Sequence, residues 1–506
     1  MTDTDVVIVG NGPIGATLSV LLARRGWRVT VLERRPRPYK LPRATSFDGE
    51  TARLLAATGI GEGLGRITAP ANGYQWQTAA GQTLLDIAFS TSGPYGWPDA
   101  NTMHQPALEE LIAARVKELP GITVLRGHEV VDIVDGDERV QVTATDSEDA
   151  SRTLSARWVV GCDGANSFVR EHLDVPVTDL GFSYEWLLCD VQLREPREFV
   201  PTNVQICDPA RPTTLVGSGP GRRRWEFMRL PGESTAELNK DETAWRLMAP
   251  FGVTPETATL LRSTTYIFQA RWADQWRVGH VLLAGDAAHL MPPFAGQGMC
   301  SGIRDVTNLA WKLDCTLRGL AEESILDSYP EERRAQAKEA ILASVQLGRV
   351  ICVTDPAAAA ERDATVLANR RGKPPTRPEP AKPLTGGLLH ESPGAGEVVP
   401  QGRVRLHGDT GLFDDVVGRG FVLLTTEALD EDRSYFLDCL GTHVVRLDDD
   451  VDVDDVYRPY LARYQATSLL VRPDYHVFGT ANGPRDLEAL IDALRDRLHA
   501  AVPAGS

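Results

Sequence analysis

Two short glycine-bearing motifs, about 275 residues apart, constrain this chain more than any other feature: Gly10-Asn11-Gly12-Pro13-Ile14-Gly15 near the start and Gly285-Asp286-Ala287-Ala288-His289 far downstream. The first follows the apolar run Val6 to Val9 and opens a helical pattern with Ile14, Leu18, Leu21 and Leu22 on one face. That is the strand, turn, helix context a dinucleotide fingerprint requires. Gly10 and Gly12 let the backbone approach a pyrophosphate, while the helix start from Pro13 to Gly15 supplies unpaired amide donors and the positive end of a dipole. The next strand, Arg28 to Leu32, ends in Glu33, at the spacing of a ribose hydroxyl contact, with Arg34 beside it as a further cofactor contact. Taken alone, such a turn also serves purely structural ends.

The downstream motif narrows the choice. His280 to Ala284 reads as a buried strand whose end carries Gly285 and Asp286, and a carboxylate held there can bind a polyol hydroxyl. The alternative for Asp286 is a cap or turn residue. Pro292, Pro293, Gly296 and Gly298 then make a stiff backbone poor in side chains, suited to lie against a flat ring. A helix follows with Ile303, Val306, Leu309, Ala310, Leu313 and Leu317 on one stripe, and the amides near Gly298 and Met299 would face the ring edge. Together the two motifs indicate bound FAD.

These residues carry a family resemblance. Three motifs occur in order: the N-terminal fingerprint, Cys162-Asp163-Gly164-Ala165-Asn166-Ser167 with Arg170, and the Gly285-Asp286 segment running through Pro292-Pro293-Phe294-Ala295-Gly296-Gln297-Gly298-Met299. In them the chain resembles the FAD-dependent aromatic hydroxylases of the para-hydroxybenzoate hydroxylase class, and within it the long 3-(3-hydroxyphenyl)propionate hydroxylase-like enzymes. The resemblance covers residues 1 to 350 well and the rest in outline. It implies an α/β chain with a Rossmann-like FAD-binding domain, an inserted β-sheet substrate domain and a C-terminal thioredoxin-like domain.

By the same resemblance, Asp163 touches FAD or the pyridine nucleotide, the other reading being a turn with Asn166 or Ser167 capping the next helix. Arg43 lies where the class places an arginine near the FAD phosphates and ribose. Gln105 stands where relatives turn an amide toward the ribityl chain, and Cys300 departs from the asparagine many relatives carry. Pro293, Phe294 and Gly296 act in catalysis through backbone and shape. The implied reaction uses NADH or NADPH to reduce FAD, forms a flavin hydroperoxide with dioxygen, and hydroxylates a small phenolic substrate. Epoxidation, Baeyer-Villiger insertion, or flavin binding without oxygenase activity are the alternatives.

At 506 residues the chain exceeds one compact core. The FAD-binding part is expected over residues 1–172, with an insertion near 72–100, and again over 276–370. A substrate-binding β-sheet domain is expected over 173–275. The proline-rich 371–400 reads as a linker, and 401–506, ending in a helix from Pro484 to His499, as a thioredoxin-like tail. That tail has only Cys439, so it lacks the paired cysteines of a redox module, and packing or homodimer contacts are its expected work. On the strand Arg223 to Leu230, Trp225 and Phe227 share one face and Arg224, Glu226 and Met228 the other. Trp225 and Phe227 are taken as candidate substrate contacts, with core packing as the alternative, and the arginine run at 222 to 224 as a solvated hairpin.

A formal charge of −16 argues against nucleic acid and acidic membrane partners. There is no 18-residue apolar run and no leader pattern, so a cytoplasmic location is expected. Seven scattered cysteines show no disulfide or zinc spacing.

Overall fold

The structure is a computed structural model that describes residues 2–498 apart from 380 and 449. It is a mixed α/β protein, and its first organising element is a six-stranded sheet. In spatial order the strands are Arg277–Val278, Val281–Leu283, Trp158–Gly161, Val6–Val9, Val29–Glu33 and Ile122–Arg126, parallel except for the hairpin at the first edge. The central strands Val6–Val9 and Trp158–Gly161 are buried along their whole length and rich in valine, as strands covered on both faces are. Val6–Val9 is flanked by strands reached in opposite directions, so a cleft opens beyond its carboxyl end, where Gly10 turns the chain.

Gly10 adopts a φ of +100°, and a side chain there would collide with the Cys162 carbonyl. Helix Pro13–Ala23 follows, with proline in its first turn where no amide partner is lost. It packs against helix Gly298–Arg318, and the contact joins the two sequence motifs: Ile14 lies over the Cα atoms of Gly285 and Gly302, with no room for a methyl at Gly302.

The second element is an eight-stranded sheet in the order His289–Leu290, Ala258–Ala273, Val177–Leu193, Arg222–Met228, Thr213–Gly217, Asn203–Ile206, Gly73–Gln77 and Thr83–Ala88. The segment near residues 72–100 thus supplies the last two strands. One face of this sheet packs on helix Asp241–Met248 through Leu187, Cys189, Trp225, Phe227, Ala244 and Met248. The other face turns toward the cleft.

The C-terminal strands form a separate sheet in the order His443–Arg446, Val422–Thr425, Ser468–Val471 and Val477–Ala481, closed by helix Pro484–Leu498. The expected last residue of that helix, His499, lies outside the described residues, as does Pro380 of the expected linker. No single helix among the described residues is long and apolar enough to cross a membrane.

Two buried charge clusters bind the C-terminal sheet to the rest. Arg53 donates twice to Asp414, at 2.7 Å each, and once to the Val399 carbonyl. Arg472 donates to both oxygens of Glu332, at 2.9 and 2.7 Å, and to Asp474, while Lys312 donates to Glu332 at 2.8 Å and Asn308 to Asp474. Burial works against the Glu332 charge, but Arg472 and Lys312 outweigh it and hold its pKa at about 2.

Removing one partner of such a buried cluster leaves charges without compensation, which costs about 3–5 kcal/mol. Arg472→Ala is therefore expected to lower the calorimetric unfolding temperature markedly, whereas Arg403→Ala, whose pair with Asp454 is exposed, leaves it nearly unchanged. Because the folded pKa of Glu332 lies below its ordinary 4.5, its contribution is complete above that pH and is lost as pH falls toward 2. An acid titration of stability should accordingly be flatter in Arg472→Ala.

Candidate functional site

The cleft beyond Val6–Val9 and the free face of the large sheet enclose one cavity of about 1170 Å³. Ordinary small-molecule sites occupy roughly 300–1,000 Å³, so this space suits a large ligand with a second molecule beside it. Of the residues expected at a cofactor site, Gly12, Pro13, Ile14, Arg43, Gln105, Asp286, Pro293, Phe294, Gly296, Gly298 and Met299 all line it.

The local geometry fits a flavin dinucleotide. A Cβ placed on Gly12 meets no protein atom within 4 Å, so this glycine keeps ligand space open. Asp286 follows strand Val281–Leu283, and its carboxylate faces the cavity with no hydrogen bond from the described residues. Burial raises its pKa, against the pull of His289 and Arg43. Such a group calls for a hydroxyl donor, as a ribityl chain provides. His289 points elsewhere, pairing with Asp305 at 2.7 Å. Past it, Pro293–Ala295 forms a single 3-10 turn ending at Gly296 with φ +66°. Helix Gly298–Arg318 then begins without a side-chain cap, so its first amides face the cavity.

Other expected residues play different parts. Gln105 lines the wall, but its carbonyl oxygen accepts from the Arg43 and Ala44 amides at 2.9 and 2.7 Å and its amide donates to Glu109. It positions the Arg43 loop. Gly10 and Gly15 shape the turn from behind, where side chains would strike the Cys162 and Gly10 carbonyls. Glu33 stands behind the turn, outside the cavity wall, accepting from the amides of Asn11 and Arg35 at 2.9 and 2.8 Å. Arg34 lies on the surface near Glu129.

Three expectations need correction. Asp163 is scaffold: its carboxylate accepts from the Ser167 hydroxyl at 2.5 Å and the Val169 amide at 3.1 Å, tying down helix Phe168–His172, and it is Cys162 and Gly164 that reach the cavity. Trp225 and Phe227 are not substrate contacts. They are buried against Phe199 and Phe251 on the far face of the large sheet. The alternate residues Arg224 and Glu226 line the cavity instead.

Nor is the arginine run a solvated hairpin at Arg224, which is 2% exposed. It donates to both oxygens of Asp190, at 2.7 and 3.1 Å, and to the carbonyls of Pro42 and Arg43. Arg262 also donates to the Pro42 carbonyl.

The sequence reading passed over a second wall. Arg304 bridges Asp48 at 2.6 Å and Glu50 at 2.8 Å and donates to Gln297, tying the flavin-side loop to the turn before helix Gly49–Leu55. Only Asp48, as a cap three residues before Thr51, left a local signal. Phe294 packs edge-on against Phe182, Trp186 and Phe268, so the loop docks on an aromatic end of the large sheet.

With this geometry in place, comparison with known proteins is decisive. A family model described as FAD binding domain matches residues 3–344. The chain belongs to this FAD-binding family. A second model, described as HcaD C-terminal domain, matches residues 396–497. Likeness to individual relatives extends over nearly the whole chain. It is 39% identical over 507 residues to a protein of Rhodococcus jostii named a probable NADH-specific resorcinol 4-hydroxylase, covering 97% of this chain and 94% of the relative. It is 31% identical over 581 residues to a 3-(3-hydroxy-phenyl)propionate/3-hydroxycinnamic acid hydroxylase of Comamonas testosteroni, covering 99% and 98%. The solved OxyS anhydrotetracycline hydroxylase from Streptomyces rimosus superposes with a TM-score of 0.79 at 26% identity, over 99% and 100% of the two chains. This member of the FAD-binding family thus stands among FAD-dependent aromatic hydroxylases.

Because a side chain at Gly12 would occupy only ligand space, Gly12→Val should fold normally yet purify with several-fold less flavin. Asp286→Ala should do the same. The flavin-to-protein absorbance ratio checks both, and wild-type ratios in the two variants would remove these residues from the cofactor site.

Proposed function

We propose that this protein is an FAD-dependent monooxygenase that uses NADH or NADPH and dioxygen to hydroxylate a small phenol. The observation that carries the reading is the single cavity shared by the nucleotide cleft and the large sheet, which has space for an aromatic molecule beside a flavin. When bound, FAD supplies the redox chemistry, taking electrons from the nicotinamide and activating dioxygen.

The chain's own residues bind, orient and enclose. Gly12, Pro13 and the start of helix Pro13–Ala23 receive the pyrophosphate, with Arg43 at the mouth of the cavity and Glu33 holding the turn from behind through the Asn11 amide. Asp286 accepts from the ribityl chain. Pro293, Phe294 and Gly296 present a flat backbone surface to the ring, and the amides at Gly298 and Met299 stabilise negative charge at its edge. Leu188, Phe268, Met291 and Phe294 line the substrate side and exclude water.

The domain reading follows the sheets. Residues 1–172 and 276–370 form the FAD-binding part, 173–275 with the segment near 72–100 the substrate-binding sheet, and 401–506 the tail. The tail's strand order, with one parallel and two antiparallel pairings around Val422–Thr425 and Ser468–Val471, supports a thioredoxin-like fold. Its buried links through Arg53 and Arg472 support a packing role.

Turnover tests the reading. With resorcinol and 3-(3-hydroxyphenyl)propionate as probes, the holoenzyme is expected to oxidise NADH or NADPH faster with one phenol present and to release a product one oxygen heavier by mass spectrometry. Reductant oxidation indifferent to every phenol, with no oxygenated product, would overturn it.

A further inference from the structure

The cavity face of the large sheet carries two polar rows set by strand register. In one, Gln205, Thr214, Glu226 and Leu188 lie side by side across four strands. In the next, Val216, Arg224, Asp190 and Arg262 do the same. Within the first row the neighbouring donors are spent. The Thr214 hydroxyl donates to Gln205, and the Gln205 amide donates to the Thr213 carbonyl.

Arg224 spends its donors on Asp190, Pro42 and Arg43, and its Nη1 lies 3.6 Å from Glu226 Oε1, beyond good hydrogen-bond range. Glu226 is therefore a cavity-lining carboxylate, 8% exposed, whose contact with Arg224 stands at the margin of hydrogen-bond reach and leaves acceptor capacity open toward the cavity. A buried acceptor in that state is matched by a donor on the ligand.

We propose that Glu226 accepts the phenolic O–H of the substrate and takes its proton. This rests on the hydroxylase reading above. The phenol O–H bond breaks, the proton passes to a carboxylate oxygen of Glu226, and the electron pair stays on the ring oxygen as phenolate. The ring is thereby enriched toward an electrophilic oxygen, and the proton returns to that ring oxygen before product leaves. The charged and titratable groups around the carboxylate are Arg224 on its own strand, Asp190 on the adjacent strand, Arg262 on the strand beyond that one, and Tyr74 three strands away on the other side in the same sheet. Burial raises the pKa of Glu226, helped by Asp190 and opposed by Arg224 and Arg262. That direction suits a base working near neutral pH.

The test uses the holoenzyme of Glu226→Gln and Glu226→Asp, with flavin content as the check on folding. With resorcinol near pH 7, the Gln variant should lose about 10²-fold or more in hydroxylation kcat, the usual worth of a positioned proton acceptor. Its activity should recover as pH approaches the phenol's own pKa, about 10, and Asp should restore part of the rate. Without reductant, 4-nitrophenol bound to the wild type should show its anion spectrum below its solution pKa, and the Gln variant should lose that shift. A Gln variant with wild-type kcat, pH profile and probe spectrum would overturn the role of Glu226 while leaving the hydroxylase reading intact. Wild-type protein that hydroxylates no phenol would overturn both.

Discussion

The cavity depends on the buried Arg224 guanidinium. It faces the Asp190 carboxylate on the adjacent strand and the Pro42 and Arg43 carbonyls on the loop beside the nucleotide cleft. A buried cation is tolerated only with its donors filled, so strand and loop are held in one mutual arrangement. That arrangement sets the roof of the cavity over the glycine turn and sends Glu226, two residues along, inward. Arg262 repeats the contact to Pro42 and makes the anchor two-stranded.

Around this anchor the polar groups divide into two kinds. Asp190 with Arg224, Asp48 and Glu50 with Arg304, Glu332 with Arg472 and Lys312, and Asp414 with Arg53 are closed on themselves and hold walls and units together. Asp286 and Glu226 face the cavity with acceptor capacity left open. They stand on the two opposed layers, one at the end of a parallel strand and the other on the roof sheet. The closed groups build the vessel and the open pair meets its contents.

Much of this was legible from residues alone, and the pattern of success is physical. Gly10, Gly285 and Gly296 announce positive-φ backbone that few other residues adopt, and Gly12 keeps ligand space open, so the motifs located the cofactor side. Local pattern also found the roof strand that carries Trp225 and Phe227. What local pattern could not decide was which strand face looked inward. At Arg222–Met228 one face is aromatic and the other charged, and the usual expectation of charges outward fails because Arg224 is neutralised by Asp190, 34 residues away. Asp163 misled for the opposite reason: its partners are only four and six residues distant, a cap whose sequence looks like a ligand contact. The cross-chain clusters at Arg304 and Arg472 left almost no local trace.

The most direct measurement of the central claim, one cavity shared by flavin and phenol, is the visible spectrum of the oxidised holoenzyme titrated with resorcinol in the absence of reductant. A phenol seated against the ring is expected to perturb the flavin bands in a saturable way. A protein that carries FAD, hydroxylates the phenol and yet shows a flavin spectrum unmoved at saturating resorcinol would contradict a shared cavity.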